Sequence, residues 1–375
     1  MKNKYEILVG AEKFIDSLKC DLDDCHDSLY VQFMTYEGDE AGKRFSAPLM
    51  ERAIAGVDVR LMVDYYSDVV VSDIYPMEVH RYSQLRAERA ETQSLFAQME
   101  ETGIEIKRTA PFGCFGQYIF FRDHKKIVVL DEQVAYIGGI NISDHNFRWH
   151  DFMVRVEGPI VQDIVRDFIS TWDGKTVAFD TPAENGDYLL NQSAARHSVF
   201  NEVLAMVERA EHTIFIETPY LLGDTIERAI LRAAERGVKV QLIVPYNNNK
   251  LIFKWWSAAS VHRLNHPNIS YYGFTGHDGM THAKLYLFDG RWTTVGSLNV
   301  FELECLMQKE VNIFSDNPDL VAQVKELAEA DLAQSELLSL PSGKYLRFTH
   351  TAVYGFFTWW TKRLSKNPDW VAKYC

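Results

Sequence analysis

Short apolar runs alternate with stretches of helical period along this chain, and their order repeats. Residues 11–27 put Phe14, Ile15, Leu18 and Leu22 on one side, a spacing that predicts an amphipathic helix. Ser28–Tyr36 predicts a strand. The turn at 37–42 then leads into a helix running to about Ala55, which Gly56 closes. Val57–Asp64 predicts the next strand, residues 72–102 are charged and largely helical, and Gly103–Arg108 predicts a short strand. Val161–Trp172 predicts an amphipathic helix that closes the first half. After 173–195, which hold Gly174, Pro182, Gly186 and many polar residues, the order restarts. A helix is expected over Val199–Ala210, a strand over Thr213–Tyr220, a helix over Thr225–Arg236 before Gly237, and strands over Val238–Pro245 and Asn268–Tyr272. Five elements recurring in one order indicate an internal duplication, and the β-α-β succession indicates an α/β architecture. The division expected is a first half over 1–175, a linker over 176–195, a second half over 196–340 and a tail over 341–375.

Each half carries the same polar pattern after its last predicted strand. The first is His124-Lys125-Lys126-Ile127-Val128-Val129-Leu130-Asp131, followed by Gly138-Gly139-Ile140-Asn141. The second is His282-Ala283-Lys284-Leu285-Tyr286-Leu287-Phe288-Asp289, followed by Gly296-Ser297-Leu298-Asn299. Each Lys follows its His by two positions, each Asp by seven and each Asn by seventeen. An acid comes further on in both, Asp151 and Glu310.

Strand geometry gives this spacing a chemical meaning. Residues i and i+2 of a strand share a face, so each His and Lys project together from the start of a buried strand. Glu132-Gln133 and Asp289-Gly290 mark turns, and the returning strands 134–137 and 292–295 end in small residues, Ser297 among them, that let a ligand approach. Each Asn thereby returns to its His and Lys. One imidazole, one cation and one amide donor, doubled, suit a phosphodiester: one imidazole attacks phosphorus while the other protonates the leaving oxygen. Asp131 and Asp289 lie too far along their strands to touch phosphate readily and read as structural.

Composition narrows the partners. The 375 residues are 47% hydrophobic with a net charge of −13, an acidic balance that argues against a general nucleic-acid binder. The five cysteines, Cys20, Cys25, Cys114, Cys305 and Cys375, show no metal spacing and suit a reducing compartment. No signal peptide and no membrane-spanning run are expected.

On these motifs the sequence resembles the phospholipase D superfamily, whose signature is a doubled His-x-Lys-x4-Asp, and more narrowly the bacterial cardiolipin synthases and related phosphatidyltransferases. The resemblance spans roughly 5–335 and includes Phe33-Met34-Thr35-Tyr36, Trp149-His150-Asp151, Thr218-Pro219-Tyr220 and Glu310-Val311-Asn312. It implies a duplicated fold of two mixed β-sheets flanked by helices, with the halves about a pseudo-twofold axis and the active site between them. It implies a glycerophospholipid substrate, phosphatidylglycerol-like, handled through a phosphohistidine with no cofactor and no metal. Carried over residue by residue, His124 looks like the nucleophile and His282 like the acid and then the base, although the doubled sequence is itself symmetric and does not choose. Lys126 and Lys284 would hold non-bridging oxygens, Asn141 and Asn299 would donate to them, and Asp151 and Glu310 would each hold a histidine tautomer. The chain departs from the cardiolipin synthase pattern after Asn299. Where that pattern continues Asn-Leu-Asp-x-Arg-Ser, this chain has Phe301, Leu303 and Glu304 at the Asp, Arg and Ser positions.

Two aromatic stretches lie outside the repeat. Asn247–Trp256 ends in a Trp pair, and the tail holds Phe356, Phe357, Trp359 and Trp360 beside Lys362 and Arg363. Rings beside cations suit a lipid headgroup layer, whereas an aromatic helix folded onto the core has the same composition. The expectation is a cytoplasmic enzyme bound peripherally to a membrane, with no nucleic-acid partner. Hydrolytic phospholipase D and nucleic-acid phosphodiesterase are the rival activities, and a scaffold without activity is a third reading.

Overall fold

A computed structural model describes residues 2–74, 78–113, 120–182, 186–247, 260, 263–277, 280–338 and 359. The aromatic stretch after Asn247 and the tail, Trp359 apart, lie outside these residues. The chain divides into two compact units, Met1–Phe179 and Asp180–Cys375.

The first unit runs β1 (Lys4–Val9), α1 (Ala11–Asp23), β2 (Ser28–Phe33), α2 (Glu40–Ile54), β3 (Asp58–Asp64), α3 (Tyr66–Val69), α4 (Tyr82–Glu101), β4 (Glu105–Thr109), β5 (Ile127–Leu130), β6 (Val134–Gly138), α5 (Asp144–Phe147), β7 (Phe152–Glu157) and α6 (Val161–Trp172). Its sheet has the order β1-β7-β6-β5-β2-β3-β4. The β2–β3 and β3–β4 pairs are parallel and the others antiparallel. β2 and β5 are buried at every position, which is why they read as unbroken apolar runs rather than alternating ones. Rings of Phe14, Phe33, Tyr36 and Phe45 interlock in its core at centroid distances of 5.5–6.3 Å.

The second unit runs β8 (Tyr188–Gln192), α7 (Ser198–Arg209), β9 (Thr213–Glu217), α8 (Asp224–Glu235), β10 (Lys239–Pro245), β11 (Ile269–Phe274), β12 (Leu285–Phe288), β13 (Trp292–Gly296), α9 (Glu302–Met307), β14 (Glu310–Ser315), α10 (Pro318–Ala333) and β15 (Ser335–Leu337). Its sheet is β15-β11-β10-β9-β12-β13-β14-β8. Without β15 this is the first sheet strand for strand, with β8 in the place of β1 and parallel pairs only at β9–β10 and β10–β11. The duplication is therefore one of complete sheets.

Two sequence expectations change. The stretch read as a linker over 176–195 contains β8, which is buried throughout and pairs with β14. The predicted first strand of each half is also too long. β2 stops at Phe33, and Tyr36 forms only an isolated bridge with Ile142, while β9 stops at Glu217.

Candidate active site

The hairpin turns come first, because they set the register of both motifs. Asp131 and Glu132 have φ of 47° and 55°, and Asp289 and Gly290 of 53° and 61°. Two successive left-handed residues, closed by Gln133 N to Leu130 O and Arg291 N to Phe288 O, make the tight turn that suits twisted strands. Asp131 accepts hydrogen bonds from the backbone N–H groups of His26, Asp27 and Ser28 at 2.8 Å. Asp289 accepts from Glu211, His212 and Thr213 at 2.7–3.0 Å. Burial raises each carboxyl, but three N–H donors more than offset it, and both lie below the usual carboxylate range. Both acids thus tie the hairpin turn to the start of β2 or β9, at the strand end opposite the histidine.

At that opposite end, His124 and His282 are buried and lie three residues ahead of β5 and β12. Lys126 and Lys284 immediately precede the strands and are fully buried. Lys126 Nζ donates to His124 O at 2.5 Å, and Lys284 Nζ lies 2.8 Å from His282 Nδ1. Each Lys therefore folds back onto its own His. Lys125 points the other way, to Asp167 Oδ2 on α6 at 2.7 Å. A buried ammonium held next to an imidazole is a strong anion site, since its charge is little screened there.

The asparagines follow the returning strands and differ between halves. Asn141 is buried and accepts from Thr35 N through Oδ1 at 3.1 Å, which fixes its amide and turns Nδ2 into the donor. Asn299 is buried too, but its Nδ2 donates to Glu304 Oε2 at 2.9 Å.

The two glycines at the strand ends are needed for close approach. A Cβ on Gly138 would meet Phe152 O at 2.4 Å, and one on Gly296 would meet Val311 O at 2.3 Å. At Gly139 a Cβ would meet Asp151 Oδ1 at 2.3 Å, so this carboxylate packs directly on the backbone and accepts from Phe152 N at 2.8 Å. In the second half Ser297 takes the place of Gly139, and its hydroxyl donates to Glu310. Ser297 also accepts from Val311 N at 3.1 Å.

Sequence reasoning missed several residues that the fold brings to these motifs. Asp64, fully buried, accepts from Arg122 at 2.8 Å, and its carboxyl is pushed up to about 7 by burial, against the pull of Arg122. Gln32 donates to Asp123 at 2.9 Å, and Thr281 donates to Glu217. Asp144 accepts from Ala41 N at 2.8 Å, and Glu302 from Thr225 N at 3.1 Å, each three residues after its half's Asn. Only the acid's position three residues beyond Asn141 and Asn299 was legible in the chain.

Two equivalent sheets, each delivering a buried His, Lys and Asn to one end of its central hairpin, define a phospholipase D superfamily enzyme. The chain belongs to the family described as cardiolipin synthase, PLD-like domain, whose model matches residues 18–172 and 203–332. It is 26% identical over 360 residues to the probable cardiolipin synthase YwiE of Bacillus subtilis (strain 168), covering 90% of this chain and 67% of that one. It is 25% identical over 366 residues to cardiolipin synthase A of Yersinia pestis bv. Antiqua (strain Angola), covering 90% and 70%. Among solved structures, phosphatidylserine synthase of Haemophilus influenzae Rd KW20 shares the fold with a TM-score of 0.69, 11% identity and coverage of 96% and 94%.

Proposed function

We propose that this enzyme cleaves a glycerophospholipid phosphodiester and transfers the phosphatidyl group to an alcohol, as a cardiolipin synthase-like phosphatidyltransferase. The observation that carries this is the pair of complete His–Lys–Asn sets, buried and at equivalent places in both halves. In this reading both sets serve one phosphodiester. A nitrogen of His124 attacks phosphorus and the P–O bond to the leaving alcohol breaks, while His282 gives its proton to that oxygen. An acceptor alcohol then loses its proton to His282 and attacks phosphorus, the P–N bond breaks, and His124 is restored. Lys126, Lys284 and the two asparagines hold the non-bridging oxygens, where a single donor aimed at developing charge contributes about 3 kcal/mol. Asp151 and Glu310 orient the site from behind, and no cofactor or metal is called for.

The substrate is taken to be phosphatidylglycerol-like, reached from a membrane surface. No helix among the described residues is long and apolar enough to cross a membrane. Attachment is taken to be peripheral, through the aromatic and cationic tail. Thin-layer chromatography of radiolabelled phosphatidylglycerol, with and without added glycerol or ethanol, tests the reading. Products that change with the added alcohol support transfer, phosphatidic acid alone indicates hydrolysis, and no product rejects the reading.

A further inference from the structure

The two asparagines of the doubled motif use opposite ends of their amides. In the first half Thr35 N donates to Asn141 Oδ1 at 3.1 Å, so the carbonyl end is engaged. In the second half Asn299 Nδ2 donates to Glu304 Oε2 at 2.9 Å, so the N–H end is engaged. A carboxylate only accepts hydrogen bonds, so it is the N–H end of Asn299 that must face Glu304. Asn299 is 1% exposed, and its Oδ1 is buried without a hydrogen-bond partner among the described residues. The difference has a source in the chain. The fifth residue after Asn299 is Glu304, whereas the fifth after Asn141 is Asn146, whose amide goes to Ser143 Oγ at 2.6 Å.

Neighbouring bonds fix where this carbonyl stands. Tyr286 OH donates to Leu298 O at 2.6 Å, and Val300 N donates to Thr218 Oγ1 at 3.3 Å. Thr218 is one residue past Glu217, which pairs with Leu285, so these bonds hold Asn299 at the end of β12 from which Lys284 and His282 continue. Cys305 Sγ also donates to Asn299 O, at 3.0 Å. A buried acceptor left with nothing to accept is costly and rare in folded proteins. The chemistry of the reactants says which of them can satisfy it. The non-bridging oxygens of a phosphodiester accept and have no proton to donate. The alcohol has an O–H, but the proton of the reacting hydroxyl goes to His282. The donor to Oδ1 is therefore a second hydroxyl of the acceptor.

We propose that Asn299 Oδ1 accepts a hydrogen bond from the non-reacting hydroxyl of a vicinal diol acceptor, and that Glu304 is the positioning residue that holds the amide in this orientation. The proposal rests on the phosphodiester reading given above and extends it to the choice of acceptor. Nδ2 carries two N–H groups, so with one on Glu304 the other still serves a non-bridging oxygen. The doubled motif is symmetric but its amides are not, and the half that carries His282 and Glu304 is the one that takes the alcohol.

The test compares ethane-1,2-diol with propan-1-ol, which has nearly the same size and lacks the second O–H, as acceptors for the full chain. Transfer from phosphatidylglycerol is measured as kcat/KM for each alcohol in the wild type, E304Q and E304K, with melting temperatures alongside. The wild type is expected to prefer the diol by about tenfold, the scale of one hydrogen bond. Gln at 304 can face either end of the Asn299 amide, and Lys, a donor only, engages Oδ1 itself. The preference should therefore shrink to about threefold in E304Q and vanish in E304K. A merely structural loss would slow both alcohols alike and leave their ratio unchanged. A wild type indifferent to the second hydroxyl, or a folded variant that keeps the wild-type ratio, overturns the proposal. Should the wild type release no product with either alcohol or with water, the phosphodiester reading has failed. The diol site is then judged by NMR on the side-chain amide of Asn299 during titration with each alcohol. A shift with the diol alone supports it, and a shift with both or with neither rejects it.

Discussion

Asn299 donates its side-chain amide to Glu304 at 2.9 Å, and its backbone carbonyl accepts the buried thiol of Cys305 at 3.0 Å. Asn141 is held instead by Thr35 N, which leaves its amide N–H groups for a ligand. An anionic substrate must therefore compete with a carboxylate at the second Asn. Glu304→Gln removes that negative charge and keeps the shape. We expect the KM for anionic phospholipid to fall several-fold, roughly 3–10-fold, with kcat little changed. Steady-state rates in mixed micelles check this, and an unchanged or raised KM contradicts it.

His124→Ala and His282→Ala should each abolish turnover and leave the fold intact. Attack on phosphorus and protonation of the leaving oxygen need different imidazoles, and general acid–base help is typically worth 10²–10⁴-fold. Rates measured beside circular dichroism decide it. A single variant that keeps more than about a tenth of wild-type activity removes that His from an essential role.

Asp131→Ala and Asp289→Ala should cost stability and spare chemistry. Each loses three backbone donors in a partly solvated turn, for which we expect roughly 1–2 kcal/mol. Both carboxyls lie below their unfolded value of 3.8, so this contribution is present above that pH and is lost as pH falls through the lower folded value. Urea unfolding at pH 7 and pH 3 should show the difference from wild type shrinking at the lower pH. A rate loss larger than about tenfold would instead put either Asp in the chemistry.

Glu37 sets a pH dependence of the opposite sign. It is almost fully buried, and its carboxyl is pushed up to about 9 by burial and by the nearby Asp39, with Ser72 N at 3.1 Å opposing. A raised folded value means that the folded state keeps a proton the unfolded chain gives up above about 4.5. Stability from this group is full below that pH and is lost as pH rises through 9. Glu37→Gln holds the neutral shape at every pH. Between pH 5 and pH 8 the wild type should therefore lose melting temperature relative to Glu37→Gln, by roughly a few degrees. Parallel curves for the two proteins would show that Glu37 titrates normally.

Removal of residues 350–375 tests how the enzyme meets a membrane. Those residues hold Phe356, Phe357, Trp359 and Trp360 with Lys362 and Arg363, and each cation near anionic lipid adds about 1 kcal/mol. The truncated protein should sediment less with anionic vesicles yet still cleave a short-chain monomeric phosphodiester. Undiminished sedimentation would shift attachment to the Trp255-Trp256 stretch, and loss of the folded signal would assign the tail to the core.

What the sequence determined by itself was the set of features with short-range causes. The buried strands at 127–130 and 285–288 are apolar at every position, the second turn is Asp289-Gly290, and a two-residue step separates His from Lys in both copies. The doubling of that pattern was legible for the same reason, since each copy is local. Tertiary structure alone decided what depends on partners far along the chain. β8 sits in a Gly- and Pro-bearing stretch and becomes a strand because β14, more than a hundred residues later, offers its edge. Gly139 and Asp151 meet only because β6 and β7 pair in one register, and Ser297 reaches Glu310 across the matching pair β13 and β14. The pairing of Gln32 with Asp123, and of Thr281 with Glu217, is invisible in the linear chain. An acid is placed by its hydrogen-bond partner across the sheet, and only the register of the strands says which residue that partner is.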